Sequence, residues 1–279
     1  MSADAGGTRG DSGSEPHLRP VDRFFDGYVF DLDGTVYLGE SLLPGARETI
    51  EVIRSSGRRL VFLTNKPLER PADYAAKLTH LGLPTEPAEI VSSTDALLRY
   101  LRAHAAGARI FPVAEPLIWD LLAEAGFETT DRADGVDLVV VSWDRTFDYA
   151  KLKVAFDAVR AGARIVATNP DAYCPTPDGG MPDCAAMLAA IEASTGHRAE
   201  AIVGKPSRHM SATLLDRLHL DAARTILVGD RLATDMRMAA EAGMASALVL
   251  SGATKPADLA TSPVRPDFVI RGIGELLPR

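Results

Sequence analysis

Short runs of apolar residues alternate along this chain with segments of helical periodicity. The runs at 28–30, 60–63, 138–142 and 225–228 are apolar at nearly every position, instead of alternating between apolar and polar residues. The segment at 46–56 is one of the helical patterns that lie between such runs. A strand that is apolar on both faces must be covered on both, and strands separated by helices run parallel. These patterns predict an α/β fold built on a doubly wound parallel sheet.

Length and charge exclude several classes of protein. The 279 residues fit one large or two ordinary domains, and a net charge of −8 argues against binding to nucleic acid or anionic lipid. No apolar run approaches the roughly 20 residues of a membrane span. The first 20 residues lack the apolar stretch of a secretory signal. Two cysteines, Cys174 and Cys184, cannot build a disulfide framework, so we expect a protein of a reducing compartment, the cytoplasm.

The first 22 residues differ in composition from the rest of the chain. Residues 1–22 are rich in Gly, Ser and Asp, which predicts a disordered tail. No linker-like shift in composition occurs inside the chain. A second domain would therefore be an insertion into the first and not a fusion at one end.

Polar and charged residues stand directly after several of the predicted strands. In open α/β sheets, ligands bind beyond the carboxyl ends of the strands, so we expect these residues to lie close together. The residues concerned are Asp31 and Asp33 after the first strand, Thr64 and Asn65 after the second, Lys205 before a later helix, and Asp230 and Asp235 after a late strand.

This set of residue types favours phosphoryl chemistry. Carboxylates gathered at one edge need a cation to stay ionised, and ligation by oxygen alone favours Mg²⁺. A lysine, a hydroxyl and backbone N–H groups beside the metal would bind a phosphoryl group, and an aspartate can act as its nucleophile. Each motif taken singly also fits an ordinary turn or the start of a helix. The ordered set, with each member at a strand end or a helix start, points to the active site.

The motifs resemble those of a known superfamily. They are 31–37 (DLDGTVY), 63–65 (LTN), 168–171 (TNPD), 203–206 (VGKP) and 229–235 (GDRLATD). Together they resemble the haloacid dehalogenase (HAD) superfamily and, in detail, its NagD/AraL-type phosphatases with a large C2-type cap. The resemblance covers roughly residues 25–275. It implies a Rossmann-like core with an inserted smaller α/β cap domain.

The resemblance also implies roles for single residues. Asp31 would be the nucleophile, and Asp33 the general acid and then the base. Mg²⁺ would be held by the Asp31 carboxylate, the backbone carbonyl of Asp33 and Asp230, while Asp235 would orient a metal-bound water or Lys205. The phosphoryl-binding residues would be Thr64, Asn65 and Lys205. For Lys66 and Arg231, contact with substrate and a solvated surface position remain equally open.

The expected domain division follows from the same resemblance. Residues 23–106 and 200–279 would form the core, and 107–199 the cap. A loop after the 168–171 motif would reach from the cap to the active site, where Asp171, Tyr173 and Cys174 would set specificity. Residues 181–184 (MPDC) stand where many relatives carry a Pro-Gly-x-Gly stretch. AraL-like sugar phosphatases depart at the same place, which favours sugar phosphates.

These inferences predict an Mg²⁺-dependent phosphomonoesterase that hydrolyses small phosphorylated metabolites through an aspartyl-phosphate. Nucleotides, phosphoglycolate and glycerol phosphate are alternative substrates. A phosphotransferase, and a catalytically silent binding or regulatory protein of the same fold, are the alternative functions. We expect no nucleic-acid or membrane partner, and a homodimer, because relatives often dimerise through the cap.

Overall fold

The computed structural model describes residues 18–176 and 179–278. Helices and strands alternate along most of this part of the chain, as the apolar pattern predicted. The strands are β1 (Gly27–Asp31), β2 (Tyr37–Leu38), β3 (Ser41–Leu42), β4 (Arg59–Thr64), β5 (Ile90–Ser92), β6 (Arg109–Val113), β7 (Glu128–Thr129), β8 (Leu138–Val141), β9 (Arg164–Ala167), β10 (Tyr173–Thr176), β11 (Gly179–Pro182), β12 (Ala201–Ile202), β13 (Thr225–Gly229), β14 (Ala245–Val249) and β15 (Phe268–Ile270). The helices are α1 (Ala46–Ser55), α2 (Pro71–His80), α3 (Ser93–His104), α4 (Pro116–Glu124), α5 (Tyr149–Arg160), α6 (Cys184–Thr195), α7 (Arg208–Leu218), α8 (Arg237–Ala242) and α9 (Pro256–Thr261).

The larger sheet is parallel and buried on both faces. Its six strands lie in the order β15-β14-β13-β1-β4-β5. Alternate residues point to opposite faces: Phe30 and Phe62 join an apolar cluster with α1 and α2, while Val29 and Val61 join one with α3, α7 and α8. Because both faces are covered by helices, every position of these strands favours an apolar residue. This is the doubly wound arrangement that the continuous apolar runs predicted.

A second parallel sheet is inserted between β5 and β13. Its strands lie in the order β12-β9-β8-β6-β7. One face packs against α5 and α6, where Val139 and Ile165 are buried. The other face carries Leu138 and Val140, which belong to the same apolar cluster as the α3 side of the larger sheet. A hairpin of β10 and β11 follows β9 and belongs to neither large sheet.

Two predicted boundaries need correction. Residues 18–22 are not a disordered tail, because the backbone of Arg19 exchanges hydrogen bonds of 2.8 and 2.9 Å with Val269 on the edge strand β15, and Val21 is buried in the core. An open sheet edge presents unpaired amide groups, which this segment satisfies. The rest of the expected tail, 1–17, lies outside the described residues. The second sheet also includes Ala201–Ile202, beyond the predicted end of the inserted unit at 199.

Some elements were not predicted. The strands β5 and β15 are three residues long, too short to give a periodic pattern. Helix α4 (PLIWDLLAE) is apolar on most of its surface, so it lacks the one-sided stripe that marks an amphipathic helix. Within the described ranges, none of the helices has the length and apolar character needed to cross a bilayer.

Candidate active site

The carboxyl ends of three neighbouring strands bring the predicted residues together. Since β1 lies between β13 and β4 in the sheet, Asp31 at the end of β1 is flanked by Thr64, the last residue of β4, and by Asp230, which follows β13. Lys205 enters the same edge from the segment between β12 and α7. All of these side chains are buried. Residues up to 199 apart in the chain thus form one cluster, because parallel strands end at the same side of a sheet.

A buried lysine binds two of the carboxylates. The Nζ of Lys205 lies 2.7 Å from an oxygen of Asp31 and 2.7 Å from an oxygen of Asp235. Burial alone would lower the pKa of Lys205, but the charges of Asp235 and Asp31 outweigh it and raise that pKa above its usual value. The ammonium is therefore held in its charged form beside the end of β1.

The third carboxylate makes the cluster a candidate metal site. One ligand oxygen each from Asp31, Asp230 and Asp235 lies within 4.8 Å of the others. Oδ2 of Asp230 accepts a 2.6 Å hydrogen bond from the Ala253 N–H. Its Oδ1 is buried without a hydrogen-bond partner among the described residues. Burial, followed by the charges of Asp31 and Asp235, raises the pKa of Asp230 to about 7. The Lys205 ammonium contacts Asp31 and Asp235, and the nearby charge of Arg231 only partly offsets the effects that raise the pKa of Asp230, so these oxygens fit a hard divalent cation such as Mg²⁺.

Asp235 is bound on both of its oxygens. Oδ1 accepts from Lys205, and Oδ2 accepts a 3.1 Å hydrogen bond from the Arg231 N–H. The side chain is fully buried, and burial raises its pKa to about 6. A Cβ at Gly229 would lie 2.5 Å from the Asp235 carboxyl carbon, so only glycine permits this approach. With both oxygens engaged, Asp235 is placed to orient Lys205.

Asp33 lies further out, in the mouth of the cavity. Its carboxylate is 42% exposed, and its Oδ2 accepts a 2.9 Å hydrogen bond from the Nζ of Lys66. Burial lowers the pKa of Lys66, but the charge of Asp33 more than offsets this and raises it. Lys66, for which the sequence left two readings open, is therefore part of the site.

Asn65 connects the two units of the structure. Its Oδ1 accepts a 2.8 Å hydrogen bond from the Lys205 N–H, and its Nδ2 donates to an oxygen of Asp171 at 2.9 Å. Its backbone carbonyl accepts from Ser93 at 2.7 Å. The sequence predicted contact between Asn65 and a phosphoryl group. In the structure its side chain holds the Lys205 backbone in place and ties Asp171 to the core.

The site lies in a cavity between the core and the inserted unit. Tyr173, on β10, is largely exposed, and burial raises the pKa of the Cys174 thiol, which disfavours the reactive thiolate. Asp183 caps α6 at its N-terminus, and burial raises its pKa to about 6.

Two residues of the cavity, Asp183 and Thr234, were given no role from the sequence. For Asp183, the available signal was its position just before a helical pattern. The lining residues are Asp31, Asp33, Thr64, Asn65, Lys66, Asp171, Tyr173, Cys174, Asp183, Lys205, Arg231 and Thr234.

This architecture defines a class of hydrolases, the HAD superfamily. Residues 28–128 match the family model of haloacid dehalogenase-like hydrolases, and residues 202–276 match a HAD-hydrolase-like model. The two matches lie on either side of much of the inserted sheet. The chain belongs to this superfamily, which confirms the predicted fold with its Rossmann-like core.

Similar proteins show which type of hydrolase within this superfamily the chain represents. Sugar-phosphatase AraL from Bacillus subtilis (strain 168) is 35% identical over 250 residues, which cover 90% of this chain and 91% of AraL. A 4-nitrophenylphosphatase structure from Thermotoga maritima superposes with a TM-score of 0.86 at 35% identity, covering 90% of this chain and 96% of that one. A glycerol phosphate phosphatase from Mycobacterium tuberculosis in complex with magnesium gives a TM-score of 0.84 at 30% identity, with coverages of 93% and 78%. The chain is thus a HAD-type phosphatase of the NagD/AraL-like branch, as its motifs predicted.

Proposed function

We propose that this protein is an Mg²⁺-dependent phosphomonoesterase that hydrolyses small phosphorylated metabolites, with sugar phosphates as the favoured substrates. The observation that carries the proposal is the charge arrangement at the end of β1. Asp31 is a buried carboxylate, and one of its oxygens lies 2.7 Å from the Nζ of Lys205. It also belongs to the cluster of three carboxylates that fits a divalent cation. A nucleophile, a phosphoryl-binding cation and a metal site then share one edge of the sheet.

The first half-reaction transfers the phosphoryl group to Asp31. A carboxylate oxygen of Asp31 bonds to phosphorus, and the bond between phosphorus and the ester oxygen breaks. The electron pair stays on the ester oxygen, which takes a proton from the Asp33 carboxyl group and leaves as the alcohol. Lys205 and the hydroxyl of Thr64 hold the phosphoryl oxygens during this transfer.

The second half-reaction restores the enzyme. Asp33, now a carboxylate, takes a proton from water as the water oxygen bonds to phosphorus. The bond between phosphorus and Asp31 breaks, its electron pair returns to the carboxylate, and inorganic phosphate leaves. Asp31, Asp230 and the backbone carbonyl of Asp33 would hold the Mg²⁺, which when bound offsets the negative charges of nucleophile and phosphate. Asp235 orients Lys205.

Two observations support sugar phosphates as the substrate class. AraL, which is similar over most of the chain, is named a sugar-phosphatase. The cavity also presents carboxylates from the inserted unit, Asp171 and Asp183, beside the exposed ring of Tyr173. Carboxylates accept hydrogen bonds from the hydroxyl groups that sugars carry. Asp171, Tyr173 and Cys174, which all line the cavity, are the proposed specificity residues.

The division into domains is also part of the proposal. The predicted core, 23–106 and 200–279, would form the catalytic domain, and 107–199 would form the cap. The pairing of β12 with β9 moves residues 200–202 from the core to the cap. We further propose a cytoplasmic homodimer without a nucleic-acid or membrane partner. The acidic composition supports the lack of a nucleic-acid partner.

Phosphate release from a panel of phosphomonoesters tests the function. The panel contains sugar phosphates, nucleoside monophosphates, phosphoglycolate, glycerol phosphate and 4-nitrophenyl phosphate, each with Mg²⁺ and with EDTA. We expect Mg²⁺-dependent release that disappears in Asp31→Asn. Asp26→Asn is the matched control, because Asp26 lies just before the other end of β1 in an exposed ion pair with Arg224. Full activity of Asp31→Asn would refute the mechanism. Release in EDTA would refute the metal requirement, and no release from any substrate would favour a phosphotransferase or a silent binding protein.

A further inference from the structure

Lys66 is a charged residue of the cavity for which the reaction above has no role. Its Nζ lies 2.9 Å from Oδ2 of Asp33, and its side chain is 34% exposed. Among the side-chain hydrogen bonds and ion pairs within the described residues, this is the contact that holds the Asp33 carboxylate. A half-exposed carboxylate without such a contact would sample several rotamers.

The backbone of Lys66 is fixed from both sides. Its N–H donates a 3.1 Å hydrogen bond to the hydroxyl oxygen of Thr64, and its carbonyl accepts a 3.2 Å hydrogen bond from the Tyr74 hydroxyl. Thr64 and Tyr74 are both buried. A lysine in a solvated loop loses rotamer freedom when it forms an ion pair, which makes such pairs weak. Here the contacts with the core already hold the Lys66 backbone in place. The ammonium therefore reaches Asp33 from a fixed backbone position.

The ion pair also joins two strand ends. Asp33 follows β1, and Lys66 follows β4, the neighbouring strand of the sheet. Both side chains line the cavity that contains Asp31. Lys66 can therefore act on Asp33 from within the site. It does not need to contact the phosphoryl group, because Lys205 is the lysine proposed to bind that group.

We propose that Lys66 is a positioning residue that holds the Asp33 carboxyl group in the orientation needed for proton transfer to the leaving oxygen. This inference rests on the proposed role of Asp33 as general acid. Positioned acid–base groups contribute about 10²–10⁴-fold to reaction rates, and a misplaced acid loses part of that factor. The loss depends on the leaving group. An alkyl alcohol needs a proton as it leaves, whereas nitrophenolate is stable as an anion.

Leaving-group dependence is the test. kcat/KM is measured with Mg²⁺ for 4-nitrophenyl phosphate and for the best alkyl phosphate of the panel, because kcat/KM reports the transfer step that expels the leaving group. For Lys66→Met we expect a loss of at least ~10-fold on the alkyl phosphate and at most ~3-fold on the nitrophenyl ester. Lys66→Arg should restore part of the loss, since it keeps the charge. Lys77→Met is the matched control: Lys77 has a 29% exposed side chain and an ion pair with Glu40 on the same domain, and the ratio of the two substrates should not change.

Asp33→Asn separates the two proposals. If Asp33→Asn affects both substrates equally, the role of Asp33 as general acid is wrong, and with it the reaction proposed above. If Asp33→Asn shows the leaving-group dependence and Lys66→Met does not, only the inference about Lys66 is overturned. An equal loss on both substrates in Lys66→Met, or a change in KM alone, would likewise overturn it, because that pattern indicates substrate binding. Thermal unfolding of each variant confirms that the comparison is made on folded protein.

Discussion

Replacing Asp230 by asparagine should make the metal-free protein more stable. In the folded protein Asp230 is buried, close to Asp31 and Asp235, and its pKa is raised to about 7 from an ordinary value of 3.8. Folding therefore raises the affinity of the Asp230 carboxyl group for a proton. Asp230 destabilises the folded protein most at the pH values at which this group has to be ionised. Between about pH 4 and pH 7, the contribution of Asp230 to the stability of the metal-free protein should therefore fall as the pH rises.

The size of the effect follows from the same raised pKa. Each pKa unit corresponds to about 1.36 kcal/mol, so ionised Asp230 costs up to about 4 kcal/mol at pH 8. The isosteric amide can keep the hydrogen bond from the Ala253 N–H with its oxygen. Its Nδ2 then replaces Oδ1, which has no hydrogen-bond partner within residues 18–176 and 179–278, and can donate toward the neighbouring carboxylates. Because the amide is itself desolvated, we expect about half of the limit, ~2 kcal/mol, or an increase in Tm of about 4–8 °C.

Mg²⁺ should reverse the order of the two proteins. A ligand that binds only the folded state stabilises it by about 2.7 kcal/mol at 100 times its Kd. We expect this gain for the wild type and not for Asp230→Asn. The assay is thermal unfolding at pH 8 in EDTA and in Mg²⁺. Asp144→Asn is the control, because Asp144 is fully buried and bound to Lys151 at 2.6 Å, outside the site. It should lower Tm equally in both conditions, since it weakens a buried ion pair.

Two results would refute this reasoning. A lower Tm of Asp230→Asn in EDTA would mean that the three carboxylates do not destabilise the metal-free site. An equal rise in Tm on addition of Mg²⁺ in variant and wild type would mean that Asp230 is not a ligand. Either result can be read without any measurement of activity.

Two further predictions concern the inserted unit and its contact with the core. A Cβ at Gly204 would lie 2.4 Å from the Thr168 carbonyl oxygen, so Gly204→Ala should cost about 1–3 kcal/mol in thermal unfolding, while Gly272→Ala, with its nearest atom at 4.0 Å, should not. Asp183 has its pKa raised to about 6 by burial, so its ionisation lowers stability as the pH rises from about 4 to 6. Asp183→Asn, which can still cap α6, should be more stable than wild type at pH 7.5 but not at pH 4 in urea unfolding, and Asp148→Asn at the exposed cap of α5 should show no such difference.

The sequence by itself determined the fold class and which candidate site residues lie together at one edge of the sheet. Continuous apolar runs between helices require a parallel sheet, and parallel strands end at one edge. Asp31, Thr64 and Asp230 could therefore be placed together from their positions after strands, without any knowledge of side-chain contacts. The ordered motifs then identified the superfamily, because each motif is a short run of residues that can be recognised directly in the sequence.

Only the tertiary structure decided which of these groups are paired, and with what. Lys66 and Asp33 are 33 residues apart in the chain, and Asn65 and Asp171 are 106 apart. No local pattern records such contacts, since they depend on how neighbouring strands and the inserted unit pack. Two further features also depend on packing: the burial of Val21, and the Asp230 oxygen that has no hydrogen-bond partner in the described part of the chain. The local sequence determines which helices and strands form and where they end. Burial and charge pairing depend instead on how distant segments pack together. That packing sets the dielectric surroundings of each titratable group.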